Sequence, residues 1–165
     1  MSITSVQMVM RMAACLAAGL LAFGAVGARA QEYPTLLRIS PSAGGHCVEV
    51  PGGDAVAGQG LQMADCDSSA AQTFIHDPAA MHLSIGGLCI DANGGKPGDL
   101  VKLAPCAAGA GQIWRSEPKG NFTKLVGQNG LCLDIRYGSK ELGAPVQSWT
   151  CGDSEPNQLW SFQRE

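Results

Sequence analysis

Apolar residues along most of this chain recur every second position in short bursts, and no stretch after residue 30 sustains the three-to-four spacing of a helix. Leu61-Gln62-Met63-Ala64-Asp65-Cys66, Val101-Lys102-Leu103-Ala104-Pro105-Cys106 and Val146-Gln147-Ser148-Trp149-Thr150-Cys151 are three such bursts. Alternation of this kind predicts half-buried strands, in which residues two apart share a face. Leu61 and Met63, Val101 and Leu103 are expected to face a core, and their neighbours to face outward. Turn formers punctuate the bursts: Gly44-Gly45, Gly86-Gly87, Asn129-Gly130, Asp77-Pro78 and Glu117-Pro118. An all-β domain of about a dozen short strands follows.

The pattern also repeats. Gly45-His46-Cys47-Val48-Glu49 recurs as Gly87-Leu88-Cys89-Ile90-Asp91 and as Gly130-Leu131-Cys132-Leu133-Asp134, at spacings of 42 and 43 residues. Each unit has a second cysteine 19, 17 or 19 positions on, then a Gln-x-aromatic triplet: Gln72-Thr73-Phe74, Gln112-Ile113-Trp114 and Gln158-Leu159-Trp160. Three repeats, at about 40–82, 83–124 and 125–165, suit a pseudo-threefold β-trefoil, whereas a propeller of similar period usually needs at least four blades.

Residues 1–30 stand apart. Arg11 precedes an Ala- and Gly-rich apolar run from Met12 to Gly27, and Ala28-Arg29-Ala30 offers a small-x-small cleavage site before Gln31, the form of a secretory signal. A membrane anchor would need a longer and more apolar run, and Cys15 lies too early in the run to be a lipidation site. The mature chain expected is one domain of 135 residues, Gln31 to Glu165, exported to the periplasm or the extracellular space.

Removal of the signal leaves six cysteines, Cys47, Cys66, Cys89, Cys106, Cys132 and Cys151. An even count in a small exported chain points to disulfides, and the in-phase spacing to one bridge inside each repeat. Zinc is disfavoured because its usual close cysteine pairs are absent. Each bridge closes a loop of 17 to 19 residues and should contribute about 3 kcal/mol, which matters where a repeat of this size cannot bury a core alone. Nine basic residues against fourteen acidic ones from Gln31 onward, a formal charge of −5 with no basic cluster, argue against a nucleic-acid partner. His46, His76 and His82 stand without an accompanying nucleophile motif, so no catalytic residue and no cofactor are expected. Asn121-Phe122-Thr123 is a glycosylation sequon, idle if the Ala/Gly-rich signal is bacterial.

Taken together, the three triplets, the three cysteine pairs and the Cys-aliphatic-Asp opening of repeats two and three resemble the ricin B-chain type lectins, over essentially all of the mature chain. The resemblance implies a β-trefoil that binds carbohydrate and catalyses nothing, with galactose-type sugars as the implied ligand class. It also implies a site made of an Asp two places after the first cysteine, an aromatic two places before the second, a polar residue two places ahead of that aromatic, and an Asn before the triplet's Gln. The third repeat has all of these: Asp134, Trp149, Gln147, Asn157 and Gln158. Repeat two keeps Asp91 but has Lys102, Ala104 and Gly111 at the other positions, and repeat one has Glu49, Gln62, Ala64 and Ala71. One competent site and two vestigial ones are therefore implied.

The residues themselves support that reading without the family. Trp149 stands on the outward face where the other repeats have Ala64 and Ala104. An exposed indole beside an amide and a carboxylate offers an apolar platform and charged acceptors, which is what a sugar needs. Blander roles fit the same residues. Asp134 could bond a turn amide, Trp149 could pack under a loop against Tyr137, and Ser148, at an otherwise apolar place, could mark a shifted register. Gln72, Gln112 and Gln158 read as structural because all three repeats have one, and Trp114 and Trp160 as core. A protein-interaction module, such as the receptor-binding subunit of a toxin or a trefoil-type inhibitor, is the alternative to a glycan ligand.

Overall fold

The computed structural model describes residues 34–164, so the expected signal over residues 1–30 and its cleavage site lie outside the described residues. Twelve strands are present among the described residues, four to a repeat: β1 (Thr35–Pro41), β2 (His46–Glu49), β3 (Gln62–Asp65), β4 (Phe74–Asp77), β5 (His82–Ile85), β6 (Leu88–Asp91), β7 (Lys102–Pro105), β8 (Trp114–Lys119), β9 (Phe122–Gly127), β10 (Leu131–Ile135), β11 (Val146–Thr150) and β12 (Trp160–Arg164). The expected all-β trefoil is what the chain forms. β1 pairs with β4 and β12, β4 with β5, and β9 with β8 and β12, while β2–β3, β6–β7 and β10–β11 form three antiparallel hairpins. Among the described residues no helix is long and apolar enough to cross a membrane.

Each hairpin carries one disulfide: Cys47–Cys66, Cys89–Cys106 and Cys132–Cys151. The alternation read from the chain sorts the faces as expected, with Leu61, Met63, Val101, Leu103 and Val146 all buried in the core. Ser148 keeps this register and is itself fully buried, at the place of Met63 and Leu103. A shifted register is thereby excluded, and the hydroxyl is left in the interior without a partner.

The triplets are the joints of the fold. Their aromatics Phe74, Trp114 and Trp160 are at most 1% exposed, and the two indoles donate to Ile90 O at 2.9 Å and Leu133 O at 3.2 Å. Their glutamines perform one task three times. Each amide oxygen receives the backbone N–H just after the second cysteine, from Asp67, Ala107 or Gly152. Each amide nitrogen donates to the carbonyl just before that cysteine, of Asp65, Pro105 or Thr150. It donates as well to the acid of its own repeat, Glu49, Asp91 or Asp134. A buried amide with every polar atom satisfied is a rigid support.

Neighbouring repeats are stitched by a second recurring device. Gly58 N–H donates to Leu103 O and Leu103 N–H to Gln59 O; Gly98 and Ser148 exchange the same pair with Ser148 O and Asp99 O; Gly143 and Met63 do so with Met63 O and Ala144 O, all at 2.7–2.9 Å. The loop of each repeat thus braces the outer edge of the next repeat's second hairpin strand.

Candidate functional site

In hairpin β10–β11 the register sets Asp134 directly opposite Gln147 and Cys132 opposite Trp149. These four share the outward face, because Leu133, Ile135, Val146 and Ser148 take the inward one. The short turn Pro156–Gln158 then folds over the hairpin and buries what would otherwise be exposed.

Three amides converge on the Asp134 carboxylate. Gln147 Nε2 donates to Oδ1 at 2.8 Å, while Asn157 Nδ2 at 2.5 Å and Gln158 Nε2 at 3.0 Å donate to Oδ2. No backbone amide is among these donors, so Asp134 is not the turn-capping residue that its type also allowed. The carboxyl is 1% exposed. Burial pushes its pKa above the ordinary carboxylate value, the Gln147, Gln158 and Asn157 amides oppose the shift, and Glu155 adds to it. With one donor on Oδ1 and two on Oδ2, the acid keeps one acceptor position on Oδ1. The amides of Gln147 and Asn157 point their nitrogens at the acid, and among the described residues no hydrogen bond takes up their carbonyl oxygens.

Asp134, Gln147, Trp149, Asn157, Tyr137, Gly138 and Glu155 line a shallow cleft of about 350 Å³. Trp149 is 45% exposed and does not lie under a loop. Its benzo edge rests on the neighbouring repeat: a Cβ added at Gly98 would stand 3.3 Å from Trp149 Cζ3. Gly98 also has φ +93°, a conformation that favours glycine, so two requirements meet at one residue. Tyr137 is 87% exposed at φ 60°, with the Arg136 guanidinium 5.1 Å from its ring centre. All five residues anticipated for the site are brought together here. Tyr137, Glu155 and the brace from Gly98 were not anticipated. The one available signal for Tyr137 was the cysteine loop of repeat three, which is two residues longer than that of repeat two.

Comparison with known proteins bears on what such a cleft belongs to. Residues 35–160 match the model of the ricin-type β-trefoil lectin domain. The chain belongs to this family. Beta-galactoside-specific lectin 2 of Viscum album is 43% identical over 51 residues, 30% of this chain and 8% of that protein. Nigrin b of Sambucus nigra is 44% identical over 46 residues, 27% of this chain and 8% of that protein. The chain therefore matches only a small part of the length of these relatives. Among solved structures, the designed threefold-symmetric protein ThreeFoil superposes with a TM-score of 0.69 at 20% identity, covering 78% of this chain and 97% of that one. The C-half of an earthworm R-type lectin, solved in complex with GalNAc, superposes with a TM-score of 0.65 at 19% identity, covering 79% and 99%. At such identity these two show the β-trefoil fold alone. Among the described residues no cluster of His, Cys, Asp and Glu is arranged to hold a metal.

Proposed function

We propose that this ricin-type domain is an exported lectin that binds one galactose-type sugar at its third repeat and has no catalytic role of its own. The observation that carries the reading is the buried Asp134, held by three amides beside a half-exposed indole, in the one repeat that has both. Trp149 supplies a platform for the apolar C–H face of a pyranose. The open position on Asp134 Oδ1 accepts one hydroxyl with charge assistance, and Gln147 Oε1 and Asn157 Oδ1 accept its neighbours. Galactose is favoured because curated relatives of the chain are named as β-galactoside-specific lectins. Residues 1–30 support export through their signal-like pattern. Partner subunits of toxin type are a further proposal, since relatives that the chain matches over a fraction of their length include ribosome-inactivating proteins.

A single shallow site of this kind should bind a monosaccharide with a dissociation constant of about 0.1–1 mM, so strong attachment to a glycosylated surface would need several copies. Trp114 and Trp160 are buried, which makes Trp149 the solvent-accessible indole of the described residues. Galactose should therefore shield tryptophan fluorescence from acrylamide with a single saturable midpoint. No shielding, together with silence on a glycan array and recovery of a protein partner, would favour a protein-interaction module instead.

A further inference from the structure

Pseudo-symmetry creates three equivalent junctions, where the Gly-Gly or Asn-Gly turn opening one repeat's hairpin meets the loop of the repeat before it. They are closed to different degrees. A Cβ at Gly86 would fall 2.5 Å from Ala55 Cβ, and Ala55 and Leu88 pack onto the core at that point. At the second, a Cβ at Gly95 would fall 2.8 Å from the Asn129 amide, and the cleft of about 300 Å³ that remains has Asp91, Gly94, Ala110 and Gly111 in its lining and no large apolar side chain. The third junction, between the loop of repeat three and the opening turn of repeat one, is open. A Cβ at Gly44 or Gly45 meets nothing within 4 Å, and His46 stands where the other repeats have Leu88 and Leu131. A cleft of about 290 Å³ results, with Pro41, Ala43, Met63, Ile135 and Pro156 among its lining residues. His46 is held in its wall by a hydrogen bond between Nε2 and Lys140 O at 3.1 Å.

This open junction is the one that adjoins the Asp134 site. Gly138 and Asn157 line both clefts, and the close approach between them forms the partition, with a Cβ on Gly138 only 3.8 Å from the Asn157 amide. Proline rings, a thioether and an isoleucine side chain favour apolar surface over hydroxyls. The space is ample, since an apolar cavity of about 150 Å³ accommodates benzene. We infer that the cleft between repeats three and one is a subsite for an apolar substituent, aryl or short alkyl, carried by the sugar bound at Asp134. The inference rests on the lectin reading of that site, and it assigns the chain to hydrophobically substituted glycosides within the sugar class.

Methyl and phenyl galactosides of both anomers, titrated against the protein labelled with 13C-methyl methionine, test it. The phenyl glycoside of one anomer should bind about tenfold tighter than its methyl counterpart, as burial of part of a phenyl ring implies. It alone should shift the Met63 methyl signal. Ala43→Phe, which fills the cleft away from Asp134 and Trp149, should abolish that tenfold advantage while methyl galactoside binds as before. A Met63 methyl that stays unmoved by every glycoside overturns the subsite whatever happens at Trp149, and the lectin reading stands if methyl galactoside still binds. Conversely, a protein that ignores methyl galactoside while Met63 responds to phenol alone keeps an apolar site and loses the sugar reading.

Discussion

Asp91 in repeat two and Asp134 in repeat three occupy the same strand position, opposite Lys102 and Gln147 respectively. Asp91 Oδ1 accepts the Asn93 backbone amide at 2.8 Å and Oδ2 the Gln112 amide at 3.1 Å, so this carboxylate ties a turn. Asp134 accepts side-chain amides only. The difference traces to Gly111, where a Cβ would come within 2.6 Å of Asp91 Oδ1. In repeat two the carboxylate lies against the glycine, whereas Asn157 occupies the matching position in repeat three and holds its acid from the side. An identical residue at an identical register thus ties a backbone turn in one repeat and is held by side-chain amides alone in the next. The deciding residue is twenty positions or more along the chain, in the short turn that folds back over the hairpin.

The largest effect that would break this comparison is on binding. Trp149→Ala gives repeat three what Ala64 and Ala104 give the others, and should weaken galactose binding by about 10- to 100-fold, or roughly 1–3 kcal/mol on the scale of ring stacking in other ligand classes, with an unchanged melting temperature. Asp134→Asn should weaken binding comparably, and Asp91→Asn should leave it unaltered in calorimetric titration. Equal losses at Asp91 and Asp134 would mean that repeat two also binds.

A second substitution addresses the cause of the difference. Gly111→Asn should destabilise the protein by about 1–3 kcal/mol, because the new side chain collides with the carboxylate in a packed turn, and even combined with Ala104→Trp it should confer no second site on a loop two residues shorter. Chemical denaturation and a count of binding sites check both statements. Ser148→Ala should stabilise by about 1 kcal/mol, since it removes a buried hydroxyl that has no partner, and equilibrium unfolding would show this as a raised midpoint.

The smallest effect is one of pH. Because burial raises the Asp134 pKa, the folded state holds this proton to a higher pH than the unfolded chain does. Stability from this group is therefore greatest in acid and is lost as pH rises from the ordinary value of 3.8 through the raised one. Sugar affinity should run the opposite way and fall on acidification at a pH above that typical of an aspartate. Melting curves and titrations between pH 3 and 7 (roughly the span over which carboxylates titrate), compared with Asp134→Asn, should show both slopes vanish in the variant.

How much of this was legible beforehand follows from how local each signal is. The trefoil was readable because its joints are written three times in phase, as a cysteine pair and a Gln-x-aromatic triplet. The five residues proposed for the site could be gathered in advance because, in the family that the chain resembles, such residues sit at fixed offsets from those joints, and the fold brings them together. Ser148 was ambiguous, since one polar residue in an apolar slot fits either a slipped strand or a flawed core, and only the pairing with Leu133 decides. The Gly98 brace and the open junction beside His46 were out of reach. Each depends on contact between one repeat and the next, and no spacing within a repeat encodes it.

The loop-to-strand stitches between repeats bear on how the chain acquires its shape. Two of them join consecutive repeats, but the third ties Gly143 and Ala144 back to Met63, and β12 pairs with β1 through Leu37 and Arg164. These connections span most of the chain, the arrangement of high contact order that slows folding. An emerging polypeptide cannot close its ring until residues 160–164 are available, so in the first repeat β1 waits for its partner β12 and Met63 for the loop of repeat three. Closure of the ring is thereby deferred until residues 160–164 have been made, whatever the earlier repeats have already formed.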